Sequence, residues 1–343
     1  MSRFVLAAVL ALGLSACSDD PDESTPDSGI RADAGSDAGV DAGPDVDAGT
    51  DAGVDAGIDA GVDGGTDAGV DAGTDAGVDA GTDAGTGSSH GSGKLPCSRT
   101  ATVSTDAGTL TYCVAQVGAT EVKLIEPKAG IAPGPMRLAI YLHGDGALTY
   151  TGSNPRSLFT HGGWTYGHNT LYVTALAPNK CAWWTVPERT DCTTEAPVEA
   201  RDLEGKNAAE LVGLIEALRR GWDIQDGPIL FGGSSGGSIE LTASFLPRYG
   251  DRYPGIYALS CGGEKPWTGS MDWDAANASL RGGTKFYFTY GDQDFLLQDI
   301  QAAEAYFGGL QFPVDDKVIP GAAHCAFDQV GRVSEVWNAA TAQ

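Results

Sequence analysis

The stretch Gly227-Pro228-Ile229-Leu230-Phe231-Gly232-Gly233-Ser234-Ser235-Gly236-Gly237-Ser238-Ile239-Glu240-Leu241 constrains the chain more than any other. A short apolar run enters a knot of glycines holding two serines, and a helix-compatible segment leaves it. That is the sequence form of a strand, a sharp turn and a helix with a serine at the apex. So tight a turn leaves no room for a β-carbon beside the serine, hence the glycines. The pattern Gly-x-Ser-x-Gly fits twice, centred on Ser234 and on Ser235. Ser234 is the favoured nucleophile: the helix then starts sooner after Phe231, and Gly236 and Gly237 fall in its closely packed first turn. The N–H of Ser235 would then point at the same spot. A phosphate cradle is the competing reading, but no Lys follows the glycines and no Gly-x-Gly-x-x-Gly is present.

A serine hydroxyl needs a base to take its proton, and the base needs an orienting carboxylate. Two later stretches offer them. Phe286–Tyr290 is a strand-like run entering the acidic turn Gly291-Asp292-Gln293-Asp294, and Val318-Ile319 leads into Pro320-Gly321-Ala322-Ala323-His324. Other strand-like runs are Leu110–Val117, Glu121–Ile125, Met136–Leu142, Thr170–Ala175 and Gly255–Ser260, with the first two expected as a hairpin at a sheet edge. Helical patterns cover Ala200–Arg220, Ser235–Leu246, Phe295–Phe307 and Asp328–Ala340. Alternating strands and helices predict an α/β protein with a mostly parallel central sheet and helices on both faces.

These motifs, with His143-Gly144-Asp145-Gly146 after the Met136–Leu142 strand, resemble the α/β-hydrolases. Within them they resemble secreted esterases related to polyhydroxybutyrate depolymerases and to feruloyl or acetylxylan esterases. The resemblance spans about Arg137 to His324, with the order Ser, Asp, His of that fold. It implies a triad of Ser234, Asp294 and His324, with Asp292 as the reserve acid. It also implies an oxyanion hole from the N–H groups of Ser235 and of Asp145 or Gly146, and no cofactor. The chain departs from the tannase and fungal feruloyl-esterase pattern, which has a cysteine immediately before the nucleophile. The short, polar Cys261–Thr284 segment leaves no lid for a long-chain lipase. His143 is expected to brace its loop; His161 and His168 either line the cleft or are simply exposed.

Composition divides the chain. Asp19 to Thr86 repeats Asp-Ala-Gly with Val or Thr and holds 19 acids against one base, or −18 of the total −25; Arg3 adds +1, leaving −8 for the rest. That balance, without a basic stripe, argues against nucleic acid as a partner. With so little to bury, the tract is expected to be a disordered linker of roughly 45 Å root-mean-square span. It lacks the Gly-Gly-x-Gly-x-Asp form of a calcium-loaded β-roll. Before it, Met1-Ser2-Arg3, the apolar run Phe4–Leu14 and Leu14-Ser15-Ala16-Cys17 have the anatomy of an export signal. They resemble a bacterial lipobox, which implies lipidation at Cys17 and a membrane anchor. The expected organisation is 1–17 signal peptide, 18–95 linker and 96–343 catalytic domain. The expected location is the cell envelope, at the outer membrane or cell surface or released from it.

The remaining cysteines are Cys97, Cys113, Cys181, Cys192, Cys261 and Cys325. An even number in an exported chain suggests disulfides. The connectivity is open: Cys181 with Cys192 is one candidate local pair, Cys97 with Cys113 a candidate that would tie down the first strand, and Cys261 with Cys325 the pair those two would leave. No Cys-x-x-Cys or His-x-x-x-His cluster points to a metal. Trp183, Trp184 and Trp267 follow strand ends and are candidates to stack on a sugar or feruloyl ring, or to pack their own loops. The expected activity is a monomeric serine carboxylesterase for short-chain or aromatic acyl esters, with acylated plant polysaccharide as one substrate. A polyester depolymerase is the alternative, ahead of a serine peptidase or a non-catalytic surface binding module.

Overall fold

A computed structural model describes residues 88–342 except 92, 153–155 and 193–195. Cys17, the signal segment and most of the linker lie outside the described residues. Nine strands form one sheet: β1 Arg99–Thr105, β2 Gly108–Val117, β3 Thr120–Ile125, β4 Arg137–Leu142, β5 Thr170–Ala175, β6 Ile229–Ser234, β7 Gly255–Ser260, β8 Lys285–Gln293 and β9 Val314–Ala323. Their spatial order is β1-β2-β3-β5-β4-β6-β7-β8-β9, antiparallel from β1 to the β3–β5 pair and parallel from β5 to β9. The helices are α1 Leu148–Thr151, α2 Gly163–Tyr166, α3 Lys206–Gly221, α4 Gly236–Ile239, α5 Leu246–Tyr249, α6 Leu297–Gly309 and α7 Gln329–Thr341. A π-helical segment, Glu240–Phe245, joins α4 to α5.

Strand side chains alternate between two cores. On β4, Leu138, Ile140 and Leu142 face the core that also holds Leu211, Leu214 and Leu218 of α3 and Phe307 of α6. Ala139 and Tyr141 face the other way, toward Val333 and Trp337 of α7. β6 and β7 repeat the alternation: Phe231 and Tyr257 lie on the α3 side, Leu230 and Ala258 on the α7 side. Strands buried on both faces read as continuous apolar runs, which is why these were plain in sequence. The strand order and two helical layers are those of the α/β-hydrolase fold.

The sheet edge is one strand further out than the sequence suggests. β1 is polar and mostly exposed, with Val103 its only buried residue. A strand with so little apolar face gives almost no periodic signal. α3 begins at Lys206 rather than Ala200, behind Gly205 at φ +72°. Ser89 and Lys94, in the stretch expected as linker, touch the domain. The Ser89 N–H donates to the Ile224 carbonyl at 2.8 Å, and Lys94 pairs with Glu126 at 2.7 Å. All three candidate disulfides are present: Cys97–Cys113, Cys181–Cys192 and Cys261–Cys325.

Candidate active site

β6 runs through Ser234, three residues beyond the apolar Ile229–Phe231, and the turn follows at Ser235. Strand alternation therefore fixes where each serine points. Ser234 faces α7, as Leu230 does. Its hydroxyl donates to Gln329 Oε1, its residue is only 3% exposed, and its Oγ lies 3.8 Å from Cys261 Sγ. Ser235 is the apex. Its backbone takes φ +48°, ψ −117°, a sparsely populated conformation costing on the order of 1–3 kcal/mol. Glycines on either side permit it: a β-carbon on Gly233 would sit 2.7 Å from the Ser238 nitrogen, and one on Gly237 2.4 Å from the Leu142 carbonyl oxygen.

The Ser235 hydroxyl lies 2.9 Å from His324 Nε2, and His324 Nδ1 lies 2.8 Å from Asp294 Oδ1. This corrects the assignment to Ser234: the structure brings Ser235, Asp294 and His324 together, and Ser234 is held beneath them by Gln329. Asp294 is buried, and its Oδ1 also accepts the Leu296 N–H at 2.9 Å. Asp292 points away and accepts the Gly321 N–H at 2.7 Å, bracing the histidine loop from its far end.

Two of the expected oxyanion donors are already engaged. The Ser235 N–H donates to the Ser260 carbonyl at 2.9 Å, and the Gly146 N–H to the Cys181 carbonyl at 2.9 Å. Asp145 opens a short 3₁₀ turn and Gly236 opens α4, positions whose N–H groups have no intrahelical acceptor. Gly144 brings the two turns together, since a β-carbon there would stand 3.3 Å from Ser235 Cβ. Asp145 and Gly236 therefore lie together beside Ser235. The Trp184 indole N–H donates to both Asp145 carboxylate oxygens at 3.0 Å. Burial raises the pKa of Asp145, against the opposing effects of Trp184, Arg189 and His324.

Of the three tryptophans, Trp184 alone stands by the site. Trp183 is wholly buried in the main core, its indole donating to the Ala175 carbonyl of β5 at 3.3 Å, so it presents no surface to a ligand. Trp267 lines a separate cleft of about 270 Å³ with Arg201 and Glu264, and its indole donates to Glu264 at 2.8 Å. His143 braces its loop as expected: Nδ1 meets the Gly144 carbonyl at 2.7 Å and Nε2 accepts the Ala177 N–H at 3.0 Å. Burial lowers its pKa to about 4, so it is neutral. His161 is a core residue between Tyr172 and the Val330 carbonyl, not a cleft lining, and burial lowers it too to about 4. The sulfurs of Cys261 and Cys325 lie near His324 but are joined to each other, so no thiolate is offered to a metal.

Phe295 and Gln329 stand at the site without belonging to any of the sequence motifs, and the Gly236 N–H is not among the donors those motifs imply. Phe295 follows Asp294 directly and sits on His324, ring centroids 4.3 Å apart. Its adjacency to the acid was the available signal. Gln329 had none, because it approaches Ser234 from 95 residues away.

No known family's model matches the chain, and no curated protein matches its sequence. Among solved structures, similarity is found to a thermostable esterase at 12% identity and TM-score 0.42, covering 70% of this chain and 59% of that one. Est1E from Butyrivibrio proteoclasticus is similar at 12% identity and TM-score 0.42, over 68% of this chain and 99% of that one. Esterase PE8 is similar at 18% identity and TM-score 0.41, over 62% of this chain and 94% of that one.

Proposed function

We propose that this chain is a serine carboxylesterase whose nucleophile is Ser235. The observation that carries the reading is the hydrogen-bonded series Ser235 Oγ–His324 Nε2 at 2.9 Å and His324 Nδ1–Asp294 Oδ1 at 2.8 Å, at the apex of a strained strand–helix turn. In the proposed reaction, Nε2 takes the Ser235 proton as Oγ attacks the ester carbonyl. Asp294 holds Nδ1–H and stabilises the imidazolium. The N–H groups of Gly236 and Asp145 stabilise the oxyanion, at roughly 3–4 kcal/mol per donor. The imidazolium then protonates the departing alcohol, and water, deprotonated by His324, releases the acid.

The finer reading is a short-chain or aromatic acyl ester outside the cytoplasm, with acylated polysaccharide as one substrate. Three disulfides among the described residues fit an oxidising compartment. The lipobox-like Leu14–Cys17 supports a lipid anchor at Cys17 and a cell-envelope location, with residues 18–87 as tether. No described helix is long and apolar enough to cross a membrane.

Labelling with a fluorophosphonate followed by peptide mapping tests the nucleophile. Modification is expected on Ser235, and Ser235→Ala should lower kcat by at least about 10³-fold, in the range for removal of a triad member. Ser234→Ala should keep most activity. Labelling confined to Ser234 would overturn the assignment, and hydrolysis surviving in Ser235→Ala would do the same.

A further inference from the structure

We infer that Phe295 selects the alcohol half of the ester and favours an alcohol that presents a ring face; this rests on the esterase reading of Ser235, His324 and Asp294. The four substituents of the tetrahedral intermediate have separate destinations. One is Ser235 Oγ itself, and the oxyanion points to the N–H groups of Gly236 and Asp145. The alkoxy oxygen must lie about 3 Å from His324 Nε2, because that nitrogen gives it the proton. When the carbonyl carbon–alkoxy bond breaks, its electron pair stays on that oxygen and the proton from Nε2 completes the alcohol. The acyl chain takes the remaining direction. Whatever flanks the imidazole therefore flanks the alcohol.

That flank is Phe295. Its ring centroid lies 4.3 Å from the His324 centroid, tilted by 40°, and the residue is 74% exposed. Single exposed apolar residues are common on protein surfaces. This one, however, is fixed by its neighbours: Asp294 is buried in its bond to His324, and α6 begins two residues later at Leu297. The phenyl is thus held against the imidazole ring with its outer surface open. A flat or chair-shaped ring attached to the alkoxy oxygen can cover that surface, through C–H contacts from a sugar or by aromatic stacking. A small open-chain alcohol cannot. Trp184 is bonded instead to Asp145, beside the proposed oxyanion donors.

The test measures kcat/KM of the full-length chain and its variants on three acetates that differ only in the alcohol: ethyl acetate, a mono-acetylated methyl pyranoside and phenyl acetate. Phe295→Ala should lose roughly three- to tenfold on the two ring alcohols and less than about twofold on ethyl acetate, the range of one aromatic contact. Phe295→Tyr, which keeps a ring, should restore the preference, whereas Phe295→Leu should not. Partitioning of the acetyl-enzyme between water and methanol should stay as in wild type, because the first alcohol has left by then. Loss on one ring alcohol only supports the inference and names the ring. Equal loss on all three acetates overturns it and makes Phe295 a residue that positions His324. Loss that follows acyl length at constant alcohol also overturns it. Both results leave the esterase reading intact. If wild type hydrolyses no ester while Ser235 still takes up fluorophosphonate, the esterase reading fails and this inference with it.

Discussion

Asp292 and Asp294 stand two residues apart at the end of one strand, yet only Asp294 reaches the imidazole. The difference predicts the mutants. Asp294→Asn leaves the space filled but presents an amide to Nδ1, favouring the wrong tautomer, and kcat should fall by about 10⁴-fold. Asp292→Asn keeps an oxygen for the Gly321 N–H, so its kcat should stay within a few-fold of wild type. Steady-state kinetics on one acetate decides; comparable losses in both would remove the distinction. The same scale explains why the sequence favours Ser234 while the geometry sets Ser235 against His324. Both serines satisfy the motif, and the choice depends on where the strand ends, since each added residue turns the side chain to the opposite face. The apolar signal stops at Phe231, whereas β6 continues through two glycines and Ser234, held by pairing to β7. Parity counted from Leu230, which faces α7, puts Ser234 on that buried side and leaves Ser235 at the tip. Glycine carries no side chain to reveal a face, so that parity was invisible in sequence.

At the scale of elements, the partners of Ser235 arrive on a ribbon. β8 and β9 run on together past the sheet to pair Gln293 with Ala323, across an irregularity between Gly291 and Gln293. Such a bulge re-aims the following residues, here setting Asp294 and His324 side by side. Gly291 lets the strands cross this closely: a β-carbon there would lie 1.9 Å from the Ala322 carbonyl oxygen. The order Ser, Asp, His and the strand-end positions were legible. The bulge was not, because it depends on pairing with a strand about 30 residues away. The histidine loop is then fastened at Cys325 to Cys261, the residue after β7. In the chain-entropy account, a cross-link with a sequence separation of 64 residues stabilises by ~4 kcal/mol. The double variant Cys261→Ala/Cys325→Ala should therefore unfold at lower denaturant and lose kcat more than KM rises. Removing Cys97–Cys113, which ties the polar edge β1–β2, should lower stability without that kcat loss. Equal kcat losses in the two double variants would show that the Cys261–Cys325 tie has no local role.

Across the whole molecule, the two cores bury ionisable groups of opposite tendency. His143 and His161 are lowered by burial from 6.5 to about 4. Below pH 6.5 the unfolded chain binds protons that the folded one refuses, so their contribution to stability is lost as pH falls toward 4. Glu240, in the π-helical segment behind the serine turn, behaves the other way. Burial, and then the charge of Asp202, raise its carboxyl well above 4.5, against Ser244 and Arg248. Folded Glu240 keeps its proton where unfolded Glu240 has lost it, so its contribution is complete below pH 4.5 and is lost as pH rises toward the folded pKa. Between 4.5 and 6.5 the two histidines and Glu240 therefore act in opposite directions, and the pH profile of wild type shows only their sum. Glu240→Gln separates them, because glutamine keeps the shape and cannot ionise. The unfolding free energy of Glu240→Gln minus that of wild type should rise by ~1.4 kcal/mol per pH unit above 4.5, levelling at the folded pKa of Glu240. Urea titrations at half-unit intervals from pH 4.5 to 7 measure that slope. A flat difference would mean that Glu240 ionises in the folded protein as it does in the unfolded chain.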